Sequence, residues 1–344
     1  MRRTLTAAFV TIAAVYFFVR TNAAELSLPT SATNSVQEWE NYRAKALERM
    51  QEVMGALPKH ARTVDLQAKI VEKVDCGEYV RRLITYVPEP DSIVPAYLLI
   101  PKRVINSKEK SYAVLAFHQT RPEGHKVVVG LAGGESDHYG VELVKRGYMC
   151  IAPPYPLLAD YAPDLKALGY ASGTMKAIWD NMRALDYLET LPFVHKGKFA
   201  AIGHSLGGHN SLYTAAFDER IKAVATSCGF DSFRDYMGGN INGWTSERYM
   251  PRFLDYKDGN YPFDFHDVLA VIAPRRIFVS APIGDTNFKW ESVDGVVAAA
   301  RPVFELYGAA KNIRIEHPEI GHLFSKQMRE AAYRMIEETL PLDR

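Results

Sequence analysis

The chain has 344 residues, 47% of them hydrophobic and 24% charged, a globular composition with enough apolar material for a large core. A formal net charge of +1 with no basic stripe excludes the strongly basic surface of a nucleic-acid binder and implies no acidic partner. Three cysteines (Cys76, Cys150 and Cys228) leave at least one thiol unpaired and match no zinc-site spacing, so neither a disulfide framework nor a structural metal is expected.

At the N-terminus, Arg2 and Arg3 precede an apolar run from Leu5 to Val19, and the small residues Ala23 and Ala24 follow. The run is shorter than the ~20 residues of a membrane-spanning helix. Residues 1–24 therefore read as a secretory signal and the protein as exported, periplasmic or extracellular. Membrane contact is expected only if this segment stays on as an anchor.

Residues 25–344 read as one α/β domain. Val36, Trp39, Arg43, Leu47, Met50, Val53, Met54 and Leu57 share one helical face, which predicts a helix over about 36–57, ended by Pro58. Strand patterns follow at Leu66–Val74, Tyr79–Val87 and Ile93–Ile100, hairpin-like and antiparallel. The chain then alternates. Strands are predicted at Tyr112–Phe117, Tyr148–Ala152, Phe199–Gly203, Ile221–Cys228, Arg276–Ala281 and Ile313–Glu316. Helices are predicted at Tyr139–Arg146, Gly173–Leu191, Gly207–Phe217, Val293–Leu306 and Ser325–Thr339. Short apolar strands separated by helices predict a mostly parallel sheet covered on both faces. Asp180 and Arg183, within the second of these helices, read as a structural ion pair. Residues 229–267 break the alternation: they lack periodicity but carry ten aromatic residues, which predicts a lid or pocket wall rather than disorder.

The chemistry centres on Gly203-His204-Ser205-Leu206-Gly207-Gly208, placed between a predicted strand and a predicted helix. That context is a nucleophile elbow, a turn so tight that the positions two before and two after the serine must be glycine. Ser205 is the candidate nucleophile. Its base should lie downstream, and His322, in the loop between the last strand and last helix, is preferred to the strand-end His317. The orienting acid is Asp285, on a loop past a strand, with Asp231 and Asp294 as alternatives. The backbone N–H of Leu206 and that of Thr120, or else Gln119, are the candidate oxyanion donors. His118, His125, His138, His204 and His209 form no recognisable ligand set, so pocket-lining, core or surface roles are expected, with no cofactor.

These residues resemble the α/β-hydrolase superfamily, and within it the dienelactone-hydrolase-like and acetyl-xylan-esterase-like branch. The markers are the loop at His118, the Arg146-Gly147-Tyr148 step, Gly203–Gly208, Asp285 after a strand, and Gly321-His322. The resemblance runs from about Tyr97 to the C-terminus. It implies a Ser205–His322–Asp285 triad, with Leu206 in the oxyanion hole; export is what keeps a carbohydrate ester in view beside other small-molecule esters. Two departures stand out: His118-Gln119 replaces the His-Gly of many relatives, and a serine replaces the cysteine of dienelactone hydrolases proper. A peptidase or thioesterase with the same triad, or a non-catalytic binding homologue, is the alternative. Nothing in the pattern sets an oligomeric state.

Overall fold

The computed structural model describes residues 26–58, 64–107, 109–256 and 258–342, and the signal segment inferred for residues 1–24 lies outside them. Helix α1 (Val36–Met54) opens on Ser35, whose hydroxyl accepts the Glu38 N–H at 3.2 Å. It ends three residues short of the predicted limit because Gly55 takes φ +93°.

Three antiparallel strands follow: β1 (Lys69–Asp75), β2 (Tyr79–Tyr86) and β3 (Val94–Pro101). A short helix, α2 (Lys102–Asn106), leads into β4 (Ser111–Phe117), α3 (Tyr139–Lys145) and β5 (Met149–Ala152). Next come α4 (Gly173–Thr190), β6 (Val194–His204), α5 (Leu206–Phe217) and β7 (Ile221–Ser227). The chain closes with α6 (Phe265–Ile272), β8 (Arg276–Ser280), α7 (Trp290–Leu306), β9 (Ile313–Glu316) and α8 (Lys326–Thr339). The nine strands form one sheet in the order β1-β2-β3-β5-β4-β6-β7-β8-β9, parallel from β5 to β9 as the alternation predicts.

Strand residues alternate between two cores. Ala113, Leu115 and Phe117 of β4 face a layer built on α1, α4, α6 and α7, while Val114 and Ala116 face α3 and α8. The parallel register aligns Phe117 with Gly203, His204 with Ser227, Ser227 with Ser280, and Ser280 with Glu316. Six loops therefore leave the sheet along one edge, those that follow β4, β5, β6, β7, β8 and β9. This is the carboxyl edge, where open α/β sheets place ligands.

Two elements differ from expectation. Helix α6 lies partly inside the segment read as aperiodic. All eight of its residues are buried, and only its first three fall inside that segment, too few to show a helical period. It is set instead by Asp264, whose carboxylate accepts the Phe265 N–H, while Asp267 accepts the Asp264 N–H at 3.1 Å. The second difference is a correction: Asp180 and Arg183 do not pair. Asp180 bonds Lys176, one turn earlier on the same face, within a buried cluster. Arg183 bonds Asp186 and reaches the Val64 carbonyl at 2.7 Å.

The aromatic segment contains three short 3-10 turns, Tyr236–Gly238, Ile241–Trp244 and Pro251–Asp255. Phe230, Phe233, Trp244, Phe253, Phe263 and Phe265 are buried in the main core, with Phe233 in ring contact with Trp244, Phe253, Phe263 and Phe265. Much of the segment's apolar content thus serves packing. All three cysteines are free thiols.

Candidate active site

Ser205 sits between β6 and α5 with φ +54° and ψ −120°, a strained conformation for a residue with a Cβ. Its N–H is anchored to the Ser227 carbonyl at 2.8 Å. The flanking glycines follow from space as much as from conformation. A Cβ on Gly203 would lie 2.1 Å from the Gly207 carbonyl oxygen, and one on Gly207 2.0 Å from that of Phe117. Both neighbours are backbone and cannot step aside. We expect Gly207→Ala to lower the melting temperature by at least about 3 °C and to cripple activity, because β4 and α5 must move apart. Thermal denaturation checks this, and a melting point within 1 °C of the parent would count against it.

Leu206 opens α5. The N–H groups of a helix's first turn have no intrahelical acceptor and carry partial positive charge, so they face whatever lies above Ser205. The Leu206 side chain packs with Tyr155 and Ala177. The loop after β4 is pinned from two sides. Tyr139 Oη–H donates to the Phe117 carbonyl. His118 Nε2 accepts the Tyr155 N–H at 3.0 Å, which leaves its proton on Nδ1 to be donated to the Gln119 carbonyl at 2.8 Å. Complete burial pushes the His118 pKa down to about 4, so this neutral tautomer persists at neutral pH. Thr120, one residue beyond Gln119, is exposed, with its hydroxyl 3.4 Å from that of Tyr249.

His322 and Asp285 meet although 37 residues separate them: His322 Nδ1 lies 3.0 Å from both carboxylate oxygens. The loops that carry them are zipped together, since Ile283 N–H donates to the Pro318 carbonyl and Gly284 N–H to that of Ile320. Asp285 also accepts the N–H groups of Asn287 at 2.8 Å and Phe288 at 3.2 Å. Burial pushes its pKa up, but the bond and charge of His322 and the two amides outweigh burial and hold it below the ordinary carboxylate value. The carboxylate is thus charged and accepts from Nδ1–H, the tautomer that leaves Nε2 its lone pair.

The alternative residues are placed differently. His317 contacts acceptors at both ring nitrogens: the Ala281 carbonyl at 2.8 Å and Asp294 at 3.0 Å. Asp231 accepts only the Lys289 N–H, at 3.3 Å, and its other oxygen is buried with no partner among the described residues. Burial, with Asp235 and Asp264 adding to it, raises its pKa to about 8. In the unfolded chain Asp231 ionises near pH 4, whereas in the fold it stays protonated until about pH 8. Stability is therefore lost as pH rises across that window. Asp231→Asn is expected to remove the loss, stabilising the protein by about 1–3 kcal/mol at pH 8 and by little at pH 4. Melting curves over that range test the sign.

Beyond Ser205, rings from the aromatic segment meet α5. The His209 ring lies 4.8 Å from that of Trp244, tilted, and 5.7 Å from that of Tyr249, edge-on, and Phe288 lies 6.3 Å from Trp244 and 6.1 Å from His322. His209 Nδ1 donates to the Gly229 carbonyl at 3.2 Å. Burial lowers its pKa to about 3, which leaves Nε2 a neutral acceptor, buried and unpartnered among the described residues, as is Trp244 Nε1. His209, for which a pocket-lining, core or surface role was expected, is thus buried against the aromatic segment. Cys228 is buried and lies against the Asp285–His322 pair, with one ligand-type atom of each of the three within 4.8 Å of the others.

A nine-stranded sheet of this order, a glycine-flanked serine at a strained strand-to-helix turn and a His–Asp pair on later loops of the same edge make the chain an α/β-hydrolase. Within that class, the family model for fungal glucuronyl esterases matches residues 168–308. A carbohydrate esterase, MZ0003, from an unknown prokaryotic organism is 30% identical over 133 residues, which is 36% of this chain and 30% of that protein. The 4-O-methyl-glucuronoyl methylesterase of Phanerochaete carnosa is 27% identical over 165 residues, 41% of this chain and 39% of the relative. The matched stretch thus spans well under two thirds of these relatives. The structure of a glucuronoyl esterase from Solibacter usitatus superposes with a TM-score of 0.68 at 18% identity, covering 91% of this chain and 97% of that one. At that identity the likeness concerns the fold.

Proposed function

We propose that this protein is a serine esterase that hydrolyses carboxylic esters of carbohydrates through an acyl-enzyme intermediate. The observation that carries the reading is the two-oxygen contact of Asp285 with His322 Nδ1, made by loops that share the sheet edge with the Ser205 elbow. In this reading Ser205 attacks the ester carbonyl while His322 Nε2 takes its proton. Asp285 holds the ring in the required tautomer and stabilises its charged form. The N–H groups of Leu206 and Thr120 bind the oxyanion. His322 then protonates the leaving alcohol and activates the water that releases the acid.

The relatives' names place glucuronoyl esters first among substrates to test. The rings of His209, Trp244, Tyr249 and Phe288, gathered beside α5 and His322, support a sugar ring, whose C–H faces pack on aromatics. Export, as read for residues 1–24, fits a substrate outside the cytoplasm; among the described residues no helix is long and apolar enough to cross a membrane. The test is a panel of benzyl glucuronate, acetylated xylan, p-nitrophenyl acetate, a thioester and a peptide amide. Faster turnover of the carbohydrate esters than of the thioester and amide supports the reading. Turnover of the amide or thioester above that of every ester would replace it.

A further inference from the structure

Cys228 has no part in the proposed chemistry, yet it occupies a guarded place. It is the first residue past β7, in the left-handed region at φ +48°, and its N–H bonds the Ser280 carbonyl at 2.9 Å. That bond ties it to the strand from which the Asp285 loop departs. Its thiol has only long contacts. The Ser227 hydroxyl lies 3.7 Å from Sγ, and the S–H points to the Leu323 carbonyl at 4.0 Å. Sγ, an Asp285 carboxylate oxygen and a His322 ring nitrogen all lie within 4.8 Å of one another.

We propose that Cys228, Asp285 and His322 form a binding site for a thiophilic divalent cation such as Zn2+, and that the ion inhibits the enzyme by taking the His322–Asp285 pair out of catalysis. One sulfur, one nitrogen and one oxygen ligand are a donor set zinc accepts, with the fourth position left to water. Zinc bonds of 2.0–2.3 Å put tetrahedral ligands about 3.3–3.7 Å apart, so the widest gap closes with a shift of about 1 Å. His322 can supply it, since its side chain is 29% exposed on a surface loop, and the same exposure gives the ion its way in. As the Zn–S bond forms, the thiol proton leaves to solvent. His322 then gives Nδ1 to the metal, its proton passing to Nε2, and so loses both the hydrogen bond that orients it and the lone pair that would take the serine proton.

The inhibitory half of this inference rests on the esterase reading, whereas the binding half does not. Binding is therefore measured separately, on mature protein carrying Cys76→Ser to remove the partly exposed thiol outside the site. Co2+ is the spectroscopic probe and Zn2+ the competitor. The expected result is one tightly bound Co2+ per chain with a thiolate-to-metal charge-transfer band that Zn2+ abolishes, seen equally in Ser205→Ala. Cys228→Ala should remove the band, and Zn2+ inhibition of ester hydrolysis, scored against each variant's own metal-free rate, should weaken at least about tenfold. If Cys228→Ala does not fold, Cys228→Ser and the band in the parent protein still decide. No charge-transfer band in the parent, or equal Zn2+ inhibition with and without Cys228, overturns the site. A band without loss of hydrolysis overturns the inhibition alone, and a band in a protein with no esterase activity leaves the site standing while the functional reading falls.

Discussion

Ser205→Ala is expected to lower kcat for ester hydrolysis by about 10⁴–10⁶-fold while changing KM little, because the hydroxyl forms the bond that the mechanism needs and contributes little to ground-state binding. The fold should survive. Ser205 is held by its backbone, through the N–H to the Ser227 carbonyl and through helix α5, which begins at the next residue. Alanine also removes no buried hydrogen bond of the side chain. Covalent labelling by a fluorophosphonate should vanish in parallel. Asp285→Asn should cost about 10⁴-fold, since an amide facing Nδ1 favours the wrong tautomer of His322. His317→Gln should leave kcat within a few-fold, its ring nitrogens being committed to Ala281 and Asp294. A Ser205→Ala protein that keeps more than about one hundredth of the parent kcat would sink the serine mechanism, as would a loss in His317→Gln matching that in Asp285→Asn.

Much of this site was legible because its requirements are local. A strand, a turn that admits no Cβ at Gly203 or Gly207, and a helix are written in a dozen consecutive residues. The loops of Asp285 and His322 could be located because each follows an apolar strand, and parallel register brings such loops to one edge. What stayed hidden depends on partners distant in the chain. Nothing near His118 tells that its Nε2 will accept the Tyr155 N–H and so fix the loop that carries Thr120. Helix α6 spans only eight residues, fewer than a periodicity window needs. The meeting of Cys228 with Asp285 and His322 spans 94 residues, and no ligand-spacing rule reaches across three loops. Asp180 was assigned the wrong partner for the same reason: spacing along a helix offers several cations, and burial chooses among them.

That choice carries the second large effect. Lys176 is fully buried on α4, bonded to Asp180 and to Glu89 at 3.0 Å. Tyr161 donates to Asp180 at 2.7 Å and Tyr170 to Glu89 at 2.7 Å, so one ammonium serves two carboxylates in a cluster that joins α4 to the loops on either side. Burial raises the Asp180 pKa to about 6, against the pull of Lys176 and Tyr161. Lys176→Met, which nearly preserves volume, is expected to destabilise the protein by about 3–5 kcal/mol at pH 7.5, because two carboxylates are left without their cation. The linkage sets a direction. A buried carboxyl whose pKa is raised loses stability as pH climbs from its unfolded value through its folded one. Without Lys176 the Asp180 pKa moves higher still, so the variant's deficit should shrink toward pH 4.5 and widen toward pH 8. Adding Asp180→Asn and Glu89→Gln to Lys176→Met should recover a large part of the loss, since the replacement amides keep the tyrosine hydrogen bonds without charge. Denaturant unfolding of the single and triple variants at both pH values separates charge from packing. If the deficit does not change with pH and the amides restore nothing, packing alone would account for the lysine.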